Sequence, residues 1–290
     1  MRRAQRRTQA MGSDLHVIVW APGAAADRLA DLAVLRVQLL EACWSRFRPN
    51  SELNRLNARA GAGEIAVSDD LHRLVTTCVA AHAWSEGDLD ASVLPSMLAL
   101  GYRHDFGSTA MTFPMPPVPA PGMAQVRVGE SWVALPSGLG LDPGAVGKGL
   151  AGDMVTEDIL AAGAHAVLVG IGGDVVTRGV PPDSDSWLVS MRDDRRDRVE
   201  IRALRLDARN RAVATSSTLR RRWPGAHHIV HPRTGRPSGS DVVQATVLAD
   251  CGWRAEAAAT VAVLRGTSCA EWLVGHGCTP HLLGPEDGGA

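Results

Sequence analysis

The stretch Asp142-Pro143-Gly144-Ala145-Val146-Gly147-Lys148-Gly149 sets an acid, a fixed-φ proline, small residues and one lysine ahead of an amphipathic run. Glycines let a backbone approach a ligand closely. The run that follows (Leu150, Ala151, Met154, Val155, Ile159, Leu160) has helical spacing. Lys148 is therefore expected at a helix start, where free N–H groups and the helix dipole favour phosphate. A P-loop would need Gly at position 142 and Ser or Thr at 149, but Asp142 and Gly149 stand there. Taken alone, the stretch reads equally well as an ordinary loop before a helix.

Two further places could do chemistry. His227, His228 and His231 fall within five residues, in a stretch stiffened by the turn Pro232-Arg233-Thr234-Gly235. No cysteine or acid joins them at ordinary ligand spacing, which weighs against zinc. The bland alternative is a polar surface turn. Glu256 and Thr260 are four apart in a helical run, so their oxygens share one face. A carboxylate with a hydroxyl is a hard-oxygen pair that suits Mg²⁺. Its bland alternative is a solvated Glu and a Thr bonded back to its own helix.

The elements that must carry these residues are legible in outline. Residues 15–20 read as a strand. A helix is expected over 27–44, with Leu29, Leu32, Leu35, Leu39 and Leu40 on its apolar side. Ser68-Asp69-Asp70 caps another helix carrying Leu71, Leu74, Val75 and Val79. Five prolines between 114 and 122 mark an irregular connection. Residues 126–128 and 132–135 suggest a hairpin, and the mixed-charge run 192–198 suggests a solvated hairpin tip. The buried strand 166–171 ends in Gly172-Gly173-Asp174. A dinucleotide-binding loop would continue into a helix, but Val175, Val176 and Thr177 favour another strand. Strands are also expected at 212–217 and 242–248, and helices at 255–264 and 269–274. Helices and strands mix without a strict βαβ repeat, so the fold class is α+β: mixed or antiparallel sheets flanked by helices.

The chain has 290 residues, 45% hydrophobic and 21% charged, with a formal net charge of -1. That supports one large domain or two intimate lobes and gives no global field for nucleic acid. Five scattered cysteines without a Cys-x-x-Cys pair read as reduced thiols. The basic start Met1-Arg2-Arg3-Ala4-Gln5-Arg6-Arg7 lacks the apolar stretch of a signal peptide. Residues 1–10 read as a disordered arm, 11–280 as the folded domain and 281–290 as a ragged tail. No lipid anchor or membrane-length apolar segment is visible, and the location expected is cytoplasmic.

Taken in order, the motifs resemble one family. The segment from Leu141 to Asp153 is similar to its Asp-x-Gly-x-x-x-Lys-Gly-x-x-x-Asp signature, and Gly172-Gly173-Asp174 matches its Gly-Gly-Asp. Thr215-Ser216, then His228-Ile229-Val230-x-Pro232-x-Thr234-Gly235-x-Pro237, match its Thr-Ser and histidine blocks. Ala255-Glu256-x-x-x-Thr260 resembles its Ala-Asp-x-x-x-Thr, and Met11-Gly12-Ser13 and Ser51-Glu52-x-x-x-Leu56-Asn57 echo its N-terminal blocks. The family is the FAD:protein FMN transferases, the ApbE family. The resemblance implies an ApbE-like, T-fold-like architecture and FAD bound with Mg²⁺ on its diphosphate. It implies transfer of FMN to a Thr or Ser hydroxyl of an acceptor flavoprotein, with loss of AMP. Met11, Phe47, Asp88, Leu89, Asp90, Asp142, Lys148 and Val230 would line the FAD site. The Ala145 carbonyl, Glu256 and Thr260 would hold the metal, and His228 would be the base.

The chain departs from the family pattern at four places. His231 and Glu256 stand where the family has Asp, Ala259 where some members have a second acid, and Ser217 where it has Gly. Two other activities therefore stand beside transfer. One is FAD binding without transfer, as in a flavin store or sensor. The other is Mg²⁺-dependent hydrolysis of FAD to FMN and AMP.

Overall fold

The computed structural model describes residues 1–104, 116–209 and 211–285. Pro114 lies outside them; the other prolines of that stretch lie in an irregular connection that reaches a short 3₁₀ turn at Met123–Gln125.

The chain opens with β1 (Arg2–Ala10) and β2 (Ser13–Ala21), antiparallel over their whole lengths. This corrects the expected disordered arm. Met11 and Gly12 both have positive φ, as a two-residue hairpin turn of the primed type requires. Arg2 and Arg6 alternate onto the side of α1 and pair with Asp27 and Asp31 there. A basic run reads as disorder by composition, but every second residue here has a carboxylate or a neighbouring strand to meet.

α1 (Ala25–Trp44) follows, then α2 (Glu52–Ala58), α3 (Asp69–Trp84) and α4 (Leu94–Ala99). Ser51 and Ser68 cap α2 and α3 through their side chains. α1 buries Ala26, Leu29, Ala30, Ala33, Val37, Leu40 and Trp44. Leu32, Leu35 and Leu39, expected on that side, are 45, 51 and 52% exposed. The helix lies against β1, β2 and α5 on a seam of alanines that permits close approach, so its leucines fall outside. The expected hairpin at 126–135 forms as Arg127–Val128 against Trp132–Ala134.

After α5 (Gly147–Ala161) come β3 (Ala166–Ile171) and β4 (Asp174–Arg178), joined by Gly172-Gly173 at positive φ. The chain turns straight back here, as the β-branched residues after Asp174 predict. β5 (Trp187–Asp193) and β6 (Val199–Leu206) make a separate ribbon with the mixed-charge run at its tip. Then come β7 (Ala212–Ser217), β8 (Gln244–Ala249), α6 (Gly252–Arg265), α7 (Ala270–Gly275) and β9 (Thr279–Leu283). The tail expected from residue 281 thus begins later, since β9 pairs with β8 through Leu283.

One seven-stranded sheet, ordered β1-β2-β3-β4-β7-β8-β9, has only antiparallel neighbours. α1, α5 and α6 cover one face. The β5–β6 ribbon covers the other, where Trp187, Met191, Leu204 and Leu206 pack on Ile18, Leu168, Val213 and Leu248. The architecture is α+β, as expected.

α5 and α6 cross where neither has a side chain. A Cβ on Gly252 would stand 2.3 Å from the Gly149 carbonyl oxygen, and one on Gly149 would stand 2.2 Å from that of Gly252. Gly252→Ala should therefore force the helices apart and cost about 1–3 kcal/mol, the range for overpacking a tight contact. Gly239→Ala, with open space around it, should change stability by less than about 0.5 kcal/mol. Urea denaturation of the two variants checks this; equal stabilities would refute the crossing.

Candidate functional site

The loop before α5 is fixed from several sides. Asn57 accepts from the Leu141 N–H at 2.8 Å and donates to the Leu141 carbonyl at 3.1 Å. The Asp142 N–H reaches the Ala91 carbonyl, and Asp142 Oδ1 accepts from Gly144 N–H in a short turn. Asp142 Oδ2 is paired with Arg46 Nε at 2.7 Å, both side chains nearly buried. The loop forms one wall of a cavity of about 1050 Å³. All twelve residues singled out from the sequence border it: Met11, Phe47, Asp88, Leu89, Asp90 and Asp142, with Ala145, Lys148, His228, Val230, Glu256 and Thr260.

Lys148 is the only lysine of the chain. It lies in the first turn of α5, as the spacing predicts, but the helix start is less open than expected. Gly147 N–H is held by the Pro143 carbonyl, and Gly149 N–H donates to Glu256 Oε2 at 2.8 Å. Lys148 Nζ itself contacts Asp174 Oδ2 and, at 2.6 Å, Glu256 Oε1. Burial works against its charge, but Asp174 and Glu256 outweigh that and raise its pKa to about 12. Burial also pushes Glu256 up, with Lys148 opposing.

Two buried carboxylates thus share one ammonium. The donors fit a hard divalent cation. Glu256 supplies a carboxylate and Thr260 a hydroxyl. Because Gly149 N–H goes to Glu256, the Ala145 carbonyl four residues back loses its helical partner. Thr260 also shows the bland behaviour weighed against it. Its Oγ1 donates back to the Glu256 carbonyl at 3.1 Å and meets Ser216 Oγ at 3.1 Å. Among the described residues no three His, Cys, Asp or Glu side chains gather as a metal group, the 227–231 histidines included.

Asp88 and Asp90 border the cavity with their oxygens already engaged. Asp88 pairs with Arg233 at 3.0 Å and with Arg265. Asp90 accepts from Ser92 N–H, Ser92 Oγ and Met123 N–H. Both acids brace the wall. Phe47 and Val230 flank an aromatic patch in which Phe47 meets Tyr102 edge-on at 5.6 Å and Tyr102 meets Trp223 at 5.4 Å. Met11 enters from the tip of the β1–β2 turn.

His228 is half-buried. Burial first, then Arg221, His227 and Lys148, lowers its pKa to about 3. It is therefore neutral at pH 7. His231 does not border the cavity; its carbonyl holds the Thr234 and Gly235 N–H groups of the turn. Ala259 is fully buried in the apolar layer behind α6, and Ser217 Oγ accepts from Leu219 N–H.

Three residues that shape the site were not singled out as ligands. Asp174 binds Lys148 and, through Oδ1, Thr215 N–H at 3.1 Å; its Gly-Gly-Asp block was the available signal. Asp153 accepts from Gly252 N–H at 2.8 Å and Trp253 N–H at 3.0 Å, which fixes the start of α6. Arg46 lies between the rings of Phe47 and Tyr102, at 4.1 and 4.4 Å from their centroids. Nothing in its local pattern announces that.

A sequence model of the ApbE family matches residues 11–279. The chain belongs to that family. Among its relatives is the FAD:protein FMN transferase of Salmonella typhimurium, 25% identical over 270 residues covering 87% of this chain and 76% of that protein. The FAD:protein FMN transferase of Vibrio cholerae is 26% identical over 234 residues, 77% of this chain and 69% of the other. The ApbE protein of Thermotoga maritima has the same fold, with a TM-score of 0.85 at 20% identity over 97% of this chain and 94% of that one.

Two outcomes test the site's electrostatics. An amine-acylating reagent at pH 8 should label the N-terminus, while Lys148 reacts on the order of tenfold more slowly until the chain is unfolded. Mass spectrometry reads this, and fast native labelling of Lys148 would contradict the buried pairing. His228 gives the second outcome. Between pH 6.5 and about 3 the unfolded chain binds a proton there that the folded chain refuses. Stability should therefore fall as pH drops below 6.5, by up to about 1.4 kcal/mol per pH unit from this group. Stability from urea titrations should fall more steeply between pH 7 and 4.5 for the unsubstituted chain than for His228→Gln; identical slopes would exclude a His228 that stays neutral in the folded chain.

Proposed function

We propose that the protein transfers the FMN half of FAD to a Thr or Ser hydroxyl of an acceptor protein and releases AMP. The observation that carries this reading is the single cavity on which all twelve anticipated residues converge. Its volume suits a dinucleotide, which exceeds an ordinary drug-sized ligand. The aromatic patch of Phe47 and Tyr102 suits a planar ring, and the Lys148–Arg221–His228 side suits the diphosphate.

Ala145, Glu256 and Thr260 would hold Mg²⁺, which when bound would neutralise diphosphate charge and make AMP a better leaving group. The chain's own groups do the rest. Lys148 supplies a fixed positive charge beside the reacting phosphate, and α5 and α6 hold it there. The acceptor oxygen bonds to the FMN-side phosphorus, the bond to the bridging oxygen breaks, and AMP leaves with that electron pair. Neutral His228 takes the hydroxyl proton. Such chemistry depends mostly on positioning and charge neutralisation.

The test is incubation with FAD, Mg²⁺ and a flavin-carrier domain. An FMN-sized mass gain on the carrier is expected, with an equal amount of AMP. His228→Ala should lower that transfer at least 100-fold, within the usual range for a proton-transfer group, while still binding FAD. Free FMN and AMP without carrier labelling would assign hydrolysis instead. FAD binding with neither product would leave a flavin-binding protein.

A further inference from the structure

The mouth of the cavity is charged in a way that holding FAD does not require. Residues 185–222 contain eleven arginines against six carboxylates, in a chain whose net charge is -1. They form the β5–β6 ribbon, β7 and the turn that leads to His228. Arg198, Arg220 and Arg222 border the cavity. Arg192 and Arg220 stand near enough to Arg198 that, after burial, their charges do most to lower its pKa; Asp194 and Asp14 oppose them. Arg220 Nε has Asp194 at 3.4 Å. Glu200 lies opposite Arg192 in register, yet among the described residues Arg192, Arg198 and Arg222 form no ion pair. Beside them the outer surface of the ribbon carries Leu188, Val199 and Ile201, at 71, 55 and 43% exposure.

These charges stand apart from the inner wall. There Lys148 and Arg221 lie next to His228, deep enough to serve a diphosphate. Of the unpaired arginines, Arg198 and Arg222 border the cavity and are exposed, and Arg192 is exposed close to Arg198. A mouth of that kind meets whatever must reach the reacting phosphorus from outside, and in a transfer reaction that is the acceptor chain. Complementary charge would steer its approach and fix which segment enters.

We propose that the arginine-rich β5–β6 ribbon and the Arg220–Arg222 turn form a docking surface for an acidic segment of the acceptor protein next to its modified hydroxyl. This rests on the transferase reading, and it can be tested apart from it. The probes are three fluorescent peptides of equal length, each with one central Thr, flanked by Asp and Glu, by Ser and Gly, or by Lys. Anisotropy at 50 mM NaCl should show the acidic peptide binding on the order of tenfold more tightly than the neutral one. The lysine peptide should be weakest, and the differences should shrink at 300 mM NaCl.

Arg192→Glu with Arg202→Glu, two exposed ribbon arginines outside the cavity lining, should sharply reduce the preference while circular dichroism and FAD affinity stay unchanged. Arg205→Glu, on the same ribbon but paired with Asp185, serves as the control for general charge and should have a smaller effect. Equal binding of the three peptides, or an unaffected double variant, would overturn the proposal. Weaker FAD binding in the double variant would reassign the arginines to FAD capture. A duplex oligonucleotide binding more tightly than the acidic peptide would reassign them to nucleic acid. If no condition gives FMN transfer but the acidic preference and its loss are seen, the docking surface stands and the transferase reading falls.

Discussion

The crossing of α5 and α6 is the contact on which the site depends. Each helix supplies the carboxylate that caps the other's start. Asp153 of α5 accepts from the first two N–H groups of α6, and Glu256 of α6 accepts from Gly149 in α5. Helix starts carry unsatisfied N–H groups and partial positive charge, so a buried carboxylate there is both bonded and electrostatically favoured. Reciprocal capping of this kind works only if the axes come very close. Gly149 and Gly252 allow that, and Gly152 lets Val176 of β4 fill the space beside them. The same closeness lets Glu256 reach Lys148 with its second oxygen.

That arrangement sets the order of the remaining forces. The sheet delivers Asp174 through a turn of two glycines at positive φ. A side chain at Gly172 would strike Ser13 at 2.8 Å. The β1–β2 turn can therefore lie directly over the β3–β4 turn, and Met11 faces the same cavity as Lys148. Burial penalises both carboxylates beside Lys148, and one ammonium offsets only part of the cost. A fold does not gain stability from such a cluster unless something compensates. The hydrogen bonds from Gly149 and Thr215 supply part of that.

How much of this was legible in the sequence differs from feature to feature. The ordered motif blocks contributed several residues of the cavity lining, among them Met11, Asp142, Lys148, His228, Glu256 and Thr260. The strand after Gly173 was legible from β-branched residues, and the caps of α2 and α3 from their serines. Three things were not legible. The β1 strand was masked by its arginines, whose partners on α1 are 21 to 25 residues away. The face of α1 was misread because leucines outweigh alanines on any hydrophobicity count, whereas a close interface selects the smaller residue. The engagement of Asp88 by Arg233 and Arg265 was invisible, since those partners lie 145 and 177 residues further on.

One choice of residue ties these points together. The chain uses arginine for nearly all its positive charge, and lysine only at position 148. Elsewhere the planar guanidinium is used for its several donors. Arg46 joins Asp142, the Tyr102 carbonyl and two aromatic faces, and Arg36 bridges Asp70 and Asp158. Between Asp174 and Glu256 the space lies against a helix start at which the Gly147 and Gly149 N–H groups are already bonded. A wide guanidinium would need forked partners there and would push the carboxylates apart. A compact ammonium on a flexible stem fits between two oxygens as a point charge. Lys148 lies beside the junction of α5 and α6 without carrying it, because the bonds of Gly149 and Asp153 hold the two helices together.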